Sequence, residues 1–221
     1  MRGSPPESRD TDVRAILADL DNTLYPPECG LLLAGDRRIT DFIHRRLGLS
    51  WQEADELRVR LWKDYGTTAR GLAEEYGIPE VEMSRAALES MDPSEYVPPA
   101  PELREMIRLL PVPLYVFTNS TARYAARVLE ALGIADLVGG IFDIEFMRWN
   151  GKPSEQAFEK VLGVLGVPPQ RVVLADDNAE NLKVAHGLGM VTVAVGTTCE
   201  ADYCIGTITE LADVLQAGGL L

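Results

Sequence analysis

The stretch AILADLDNTLYP, residues 15–26, runs from an apolar tetrad straight into Asp19 and Asp21, two positions apart, followed by Asn22 and Thr23. A short apolar run bounded by polar residues reads as a buried strand, here 13–18, whose exit carries two carboxylates. Asp and Asn are common turn residues, so DLDNT at 19–23 alone does not define a site. An EF-hand is excluded, because Leu24 stands where such a loop needs glycine and the closing glutamate is missing.

Three further runs resemble the first: VPLYVF at 112–117, RVVLA at 171–175 and VTVAV at 191–195. Between them Ala122, Ala125, Ala126, Leu129 and Leu132 recur at helical spacing, as do Ala157, Phe158, Val161, Leu162 and Leu165. Strands alternating with helices predict an α/β fold, a Rossmann-like core with a mostly parallel sheet. Residues 28–98 break the rhythm, with helical patterns and no buried strand. Their clearest helix lies near 53–63, where Ala54, Leu57 and Leu61 share a face and Ser50 stands three residues before Glu53 as a capping box. Prolines 98, 99 and 101 close the segment as a boundary turn. The expected organisation is a leader at 1–12, a core of 13–27 plus 99–221, and an inserted all-helical module at 28–98.

Each strand exit is polar. Asp19 and Asp21 follow the first strand, Thr118, Asn119 and Ser120 the second, and Asp176 and Asp177 the third. In open parallel sheets ligands bind outside the carboxyl ends of the strands, so the three clusters are expected on one rim. Four carboxylates held close together need opposite charge. An all-oxygen ligand set points to Mg2+, and Lys152, just ahead of a helix, is a second candidate cation.

Composition narrows the rest. The 221 residues, 46% apolar and 25% charged, suit a folded domain, and a net charge of -13 disfavours nucleic acid and anionic membrane surfaces as partners. Any anionic substrate would need local compensation. Cys29, Cys199 and Cys204 have no paired spacing and read as reduced thiols of a cytoplasmic protein, while His44 and His186 lie on helix-like stretches without a ligand cluster.

Together DLDNT, VFTNS, GKPSEQAF and LADDNAENLKVAHGLGM resemble, in order, the four motifs of the haloacid dehalogenase superfamily of hydrolases. The resemblance implies that Asp19 is a nucleophile forming an aspartyl-phosphate, and Asp21 an acid and base for leaving group and water. It implies that Asp19, the Asp21 carbonyl and Asp177 hold Mg2+ with Asp176 behind them, that Thr118, Asn119 and Ser120 take phosphate oxygens, and that Lys152 neutralises charge. Asp21 favours phosphorus over carbon chemistry, since dehalogenases differ there. Gly151 and Ser154 depart from the usual lysine loop, which has proline and aspartate at those places.

DNTLYP with WKDYGTTARGLAEEYGI is most similar to the pyrimidine 5'-nucleotidase-like branch. The helical module at 28–98 stands where many members of the superfamily carry a small cap, and the resemblance makes Tyr65, Thr67 and Thr68 expected substrate contacts of that cap, with Arg70, Trp62 and Trp149 as further candidates. The expected activity is Mg2+-dependent hydrolysis of a small phosphorylated metabolite, first a nucleoside 5'-monophosphate. A sugar-phosphate or phosphoglycolate phosphatase, a phosphomutase and a non-catalytic phosphate-binding domain are the alternatives.

Overall fold

The computed structural model describes residues 12–196 and 200–221, so most of the expected leader, and Cys199, lie outside the described residues. Along the chain come β1 (Ala15–Ala18), α1 (Leu31–Leu47), α2 (Trp51–Tyr65), α3 (Thr68–Tyr76), α4 (Glu80–Met83), α5 (Pro101–Leu109) and β2 (Leu114–Phe117). These are followed by α6 (Ala122–Leu132), β3 (Ile141–Phe142), α7 (Glu155–Leu165), β4 (Val172–Asp176), α8 (Ala179–Gly187), β5 (Val191–Val195), β6 (Tyr203–Ile205) and α9 (Leu211–Ala217). The six strands form one sheet in the order β3-β2-β1-β4-β5-β6, every neighbouring pair parallel. Here β1 lies between β2 and β4, where the strand order reverses, the place at which such sheets open a crevice.

Strands β1, β2, β4 and β5 are largely buried on both faces, which is why they read as unbroken apolar runs. Alternation persists all the same. Ile16, Ala18, Leu114, Val116, Val173 and Ala175 join one core cluster, while Leu17, Phe117, Val172 and Leu174 join the other. A large apolar side chain withdrawn from water this way contributes about 1.5–3 kcal/mol, so the sheet carries much of the fold's stability.

Every regular element described between β1 and β2 is helical, giving the inserted cap. Ile43, Ala54, Leu57, Leu61, Ala69, Leu72, Ile78 and Met83 form its own apolar cluster. Leu31 at its start and Met91 and Val97 at its end pack instead with the main core. In α2 the capping box forms: the Ser50 N–H donates to Glu53 Oε2 at 2.8 Å, and the Glu53 N–H to Ser50 Oγ at 3.3 Å.

One expectation fails. Cys29 is a free thiol, whereas Cys204 is disulfide-bonded. Reading all three cysteines as reduced was therefore wrong, and it no longer supports a reducing compartment. Among the described residues no helix is long and apolar enough to cross a membrane.

Candidate active site

Register brings the three polar clusters together. Ala18 pairs with Val116 on one side and Ala175 on the other, so Asp19, Thr118 and Asp176 leave neighbouring strands at nearly one level. The Asp19 N–H still donates to the Ala175 carbonyl at 2.9 Å, fixing the backbone at the exit of β1.

Lys152 is the centre of this rim. It is only 2% exposed, and its Nζ donates to Asp19 Oδ1 and to Asp176 Oδ2, each at 2.7 Å. The ammonium also lies 5.1 Å from the centre of the Phe117 ring, a favourable cation–π contact. The loop that delivers it is clamped by Asn119, whose Oδ1 accepts from the Lys152 N–H and whose Nδ2 donates to the Lys152 carbonyl, both at 2.8 Å. Gly151 permits that clamp, since a Cβ there would come within 2.1 Å of Asn119 Oδ1. Ser154 stands at the N-cap position of α7 without a side-chain capping bond, and its Oγ accepts from Asn150 Nδ2 at 2.9 Å.

The two neighbouring aspartates are unlike. Asp176 is fully buried and saturated: Oδ1 accepts from the Asn178 N–H and Asn181 Nδ2, and Oδ2 from Lys152 and Asn181. Asp177 is half-buried. Burial and then Asp176 push its carboxyl up to about 6, against the pull of Lys152 and of the Asn22 side chain. Burial likewise lifts Asp19 to about 8, opposed by Lys152 and assisted by Asp176 and Asp21. Although burial works against its charge, Lys152 is raised above its ordinary value by Asp176 and Asp19.

On this rim one lysine stands against three carboxylates, two of them raised chiefly by burial. Asp19, Asp176 and Asp177 each offer a carboxylate oxygen within 4.8 Å of one another, and the donors are all hard oxygens. That set fits a divalent cation such as Mg2+, which would favour the ionised carboxylates.

Asp21 faces the second strand's loop. Its Oδ2 accepts from Ser120 Oγ at 3.0 Å, and its Oδ1 from Tyr25 at 2.5 Å and Tyr124 at 3.4 Å. Burial raises its carboxyl, while these donors lower it. Thr118 is fully buried, and its Oγ1 accepts from the Ser120 N–H at 3.0 Å.

The cap residues are placed differently. Tyr65 donates to Glu75 Oε1 at 3.1 Å, Thr67 Oγ1 caps α3 by accepting from the Arg70 N–H, and Thr68 Oγ1 donates to the Arg58 carbonyl. None of these hydrogen bonds joins them to the carboxylate rim, although a Cβ at Gly66, between Tyr65 and Thr67, would lie 3.9 Å from the Lys152 carbonyl. Arg70 does cross over, its Nη1 donating to Asn150 Oδ1 at 2.6 Å beside a cleft of about 630 Å³. That cleft contains none of the rim carboxylates. Trp62 is 52% exposed, whereas Trp149 packs between the cap cluster and the core.

Sequence reasoning missed Tyr25, Tyr124, Asn181 and Asp143. The last is a buried carboxylate after β3 that accepts from the Ala122 and Phe146 N–H groups, each at 2.8 Å. Its place at a strand exit was the available signal, hidden because β3 has only two residues.

A Rossmann-like core with a helical cap inserted after β1, and a carboxylate rim around one buried lysine, define the class of protein. The family follows: the model for haloacid dehalogenase-like hydrolases matches residues 13–189, and the chain belongs to that family. Among its relatives, phosphate metabolism protein 8 of Saccharomyces cerevisiae is 29% identical over 202 residues, covering 84% of this chain and 63% of that protein. A phosphoglycolate phosphatase of Chromobacterium violaceum is 32% identical over 123 residues, covering 51% and 53% respectively. The chain thus spans between 53% and 63% of these two relatives. A ribulose-1,5-bisphosphate 5-phosphatase of Halopiger xanaduensis is 27% identical, with 91% of this chain and 99% of that one covered. The solved HAD phosphatase from Thermococcus onnurineus shares the fold at a TM-score of 0.65 and 23% identity, over 92% of this chain and 98% of that one.

Proposed function

We propose that the chain is a Mg2+-dependent phosphomonoester hydrolase working through an aspartyl-phosphate on Asp19. The observation that carries this reading is the Lys152 ammonium shared between Asp19 and Asp176 at 2.7 Å each, with Asp177 beside them. Lys152 favours the ionised form of Asp19 against the opposing effect of burial and draws negative charge off the phosphoryl oxygens. An Asp19 oxygen bonds to phosphorus as the bond from phosphorus to the leaving oxygen breaks, and that oxygen takes its proton from Asp21. Water then attacks phosphorus, gives its proton to Asp21, and the Asp19–phosphorus bond breaks. The Thr118 hydroxyl, the Asn119 main-chain amide and Ser120 receive the phosphoryl oxygens. Asp19, the Asp21 carbonyl and Asp177 would hold Mg2+, whose bound charge supplies electrostatic stabilisation of the transferring group. Asp176, saturated by Lys152 and the two asparagines, serves to fix the lysine.

On this reading residues 28–98 form the cap over a core of 13–27 and 99–221, and Tyr65, Thr67 and Thr68 belong to the part that selects substrate. The first substrate class is a nucleoside 5'-monophosphate, from the cap's resemblance to the pyrimidine nucleotidase-like branch. The similarity to a phosphoglycolate phosphatase and a ribulose-1,5-bisphosphate 5-phosphatase favours a second class, small acidic or sugar phosphates.

The test is phosphate release across pyrimidine and purine 5'-monophosphates, sugar phosphates and phosphoglycolate, with Mg2+ and with chelator. Release should require Mg2+ and fall to the blank in Asp19→Asn while the far-ultraviolet spectrum stays native. Turnover by that variant at the wild-type rate would sink the mechanism. The substrate released fastest decides between the two classes.

A further inference from the structure

Tyr25 and Tyr124 are each only 2% exposed, and their rings sit in the main apolar cluster. Phenylalanine would fill both places with no hydroxyl to satisfy. Instead both hydroxyls converge from different elements, the loop after β1 and helix α6, on one oxygen: Asp21 Oδ1, at 2.5 Å from Tyr25 and 3.4 Å from Tyr124. The other oxygen, Oδ2, is met by the Ser120 hydroxyl at 3.0 Å. A tyrosine hydroxyl is an ordinary neutral O–H near neutral pH, so each can act as a donor.

The geometry points to Tyr25, aided by Tyr124, as a positioning residue that ties down Asp21 Oδ1 and leaves Oδ2 as the oxygen that gives and takes the proton. This rests on the proposed role of Asp21 as acid and base. Oδ1 is held by donors on buried rings, whereas Ser120 is a rotatable hydroxyl that can donate to an ionised Oδ2 and accept from a protonated one. In the first step the proton on Oδ2 goes to the leaving oxygen as its bond to phosphorus breaks. In the second the same oxygen takes the proton from water. Without the Tyr25 hydroxyl the carboxyl can rotate about its own bonds, and the proton is presented less often along the right line.

Leaving-group dependence separates this role from a packing role. A departing 4-nitrophenolate needs little protonation, whereas a phenolate or alkoxide needs much more. The quantity read is kcat/KM, which ends at the first irreversible step, for 4-nitrophenyl phosphate against phenyl phosphate, in wild type, Tyr25→Phe, Tyr124→Phe and Asp21→Asn. Tyr25→Phe should lose about tenfold more on phenyl phosphate than on 4-nitrophenyl phosphate. Tyr124→Phe should change the ratio in the same direction and less, and Asp21→Asn should change it most. Equal losses on both esters in the two tyrosine variants, with Asp21→Asn still discriminating, would overturn the positioning role and leave Asp21 as the acid. An Asp21→Asn variant without discrimination, or a wild type that cleaves neither ester, would overturn the underlying reading as well. Should Tyr25→Phe fold poorly in thermal melts, the ratio in Tyr124→Phe decides.

Discussion

Gly151 shows how one missing side chain can organise a site. A Cβ at this position would meet Asn119 Oδ1 at 2.1 Å, Ile144 Cδ1 at 2.6 Å and Asn119 Cγ at 2.8 Å, all too close to tolerate. Asn119 could yield only by releasing both of its bonds to the Lys152 backbone, and the ammonium between Asp19 and Asp176 would lose its support. Gly151→Ala should therefore cost about 1–3 kcal/mol, the usual penalty for overfilling a packed place, and reduce kcat at least tenfold through misplaced Lys152. Thermal melting and steady-state kinetics on one sample check both halves; a variant as active as wild type would mean that the clamp does not set the lysine. In the sequence Gly151 is visible only as a departure from the usual lysine loop. Its reason is a partner 32 residues away, which no local pattern announces. Tyr25 and Tyr124 were hidden for the same reason, since an aromatic in an apolar stretch looks like packing until its hydroxyl finds an acceptor.

At the scale of elements, legibility followed length and periodicity. The runs leading into β1, β2, β4 and β5 stood out because both faces of those strands are buried. The edge strands β3 and β6, with two and three residues, are too short to carry a period. Convergence of Asp19, Thr118 and Asp176 was legible because parallel strands place successive exits on one rim, a rule of topology that the motifs only had to occupy. Helix α2 was legible through its cap, and that makes its start testable. Ser50→Ala removes the acceptor for the Glu53 N–H and releases the reciprocal bond to the Ser50 N–H. The expected result is a Tm lower by about 2–4 °C, the order of a lost N-cap in a chain of this size. Amide exchange should quicken in the first turn of α2 and not in β4. A uniform change across both would show that the cap and sheet unfold as one unit.

For the whole molecule, the sheet gathers carboxylates into a chain whose net charge is already -13, so folding itself creates repulsion that the protein must meet elsewhere. Asp177 makes this measurable. Burial, with Asp176 behind it, raises its carboxyl from 3.8 to about 6 in the metal-free fold. The folded state then holds this proton more tightly than the unfolded chain. The resulting stabilisation is complete below pH 3.8 and is lost as pH rises through about 6. Above that pH the metal-free protein carries an ionised, poorly compensated carboxylate. Asp177→Asn removes the charge and should raise the Tm of chelated protein at pH 7 by about 2–4 °C, the shift that roughly 1 kcal/mol gives after solvent screening of a half-buried group. Near pH 4 the difference should shrink toward nothing. Saturating Mg2+ should reverse the order at pH 7, because wild type gains stability by binding whereas the variant has lost a carboxylate ligand. Calorimetry at both pH values, with chelator and with Mg2+, reads all four states. If the variant gained as much from Mg2+ as wild type, Asp177 would not be a ligand, and Asp19 with Asp176 would have to hold the ion despite the four hydrogen bonds that already saturate Asp176.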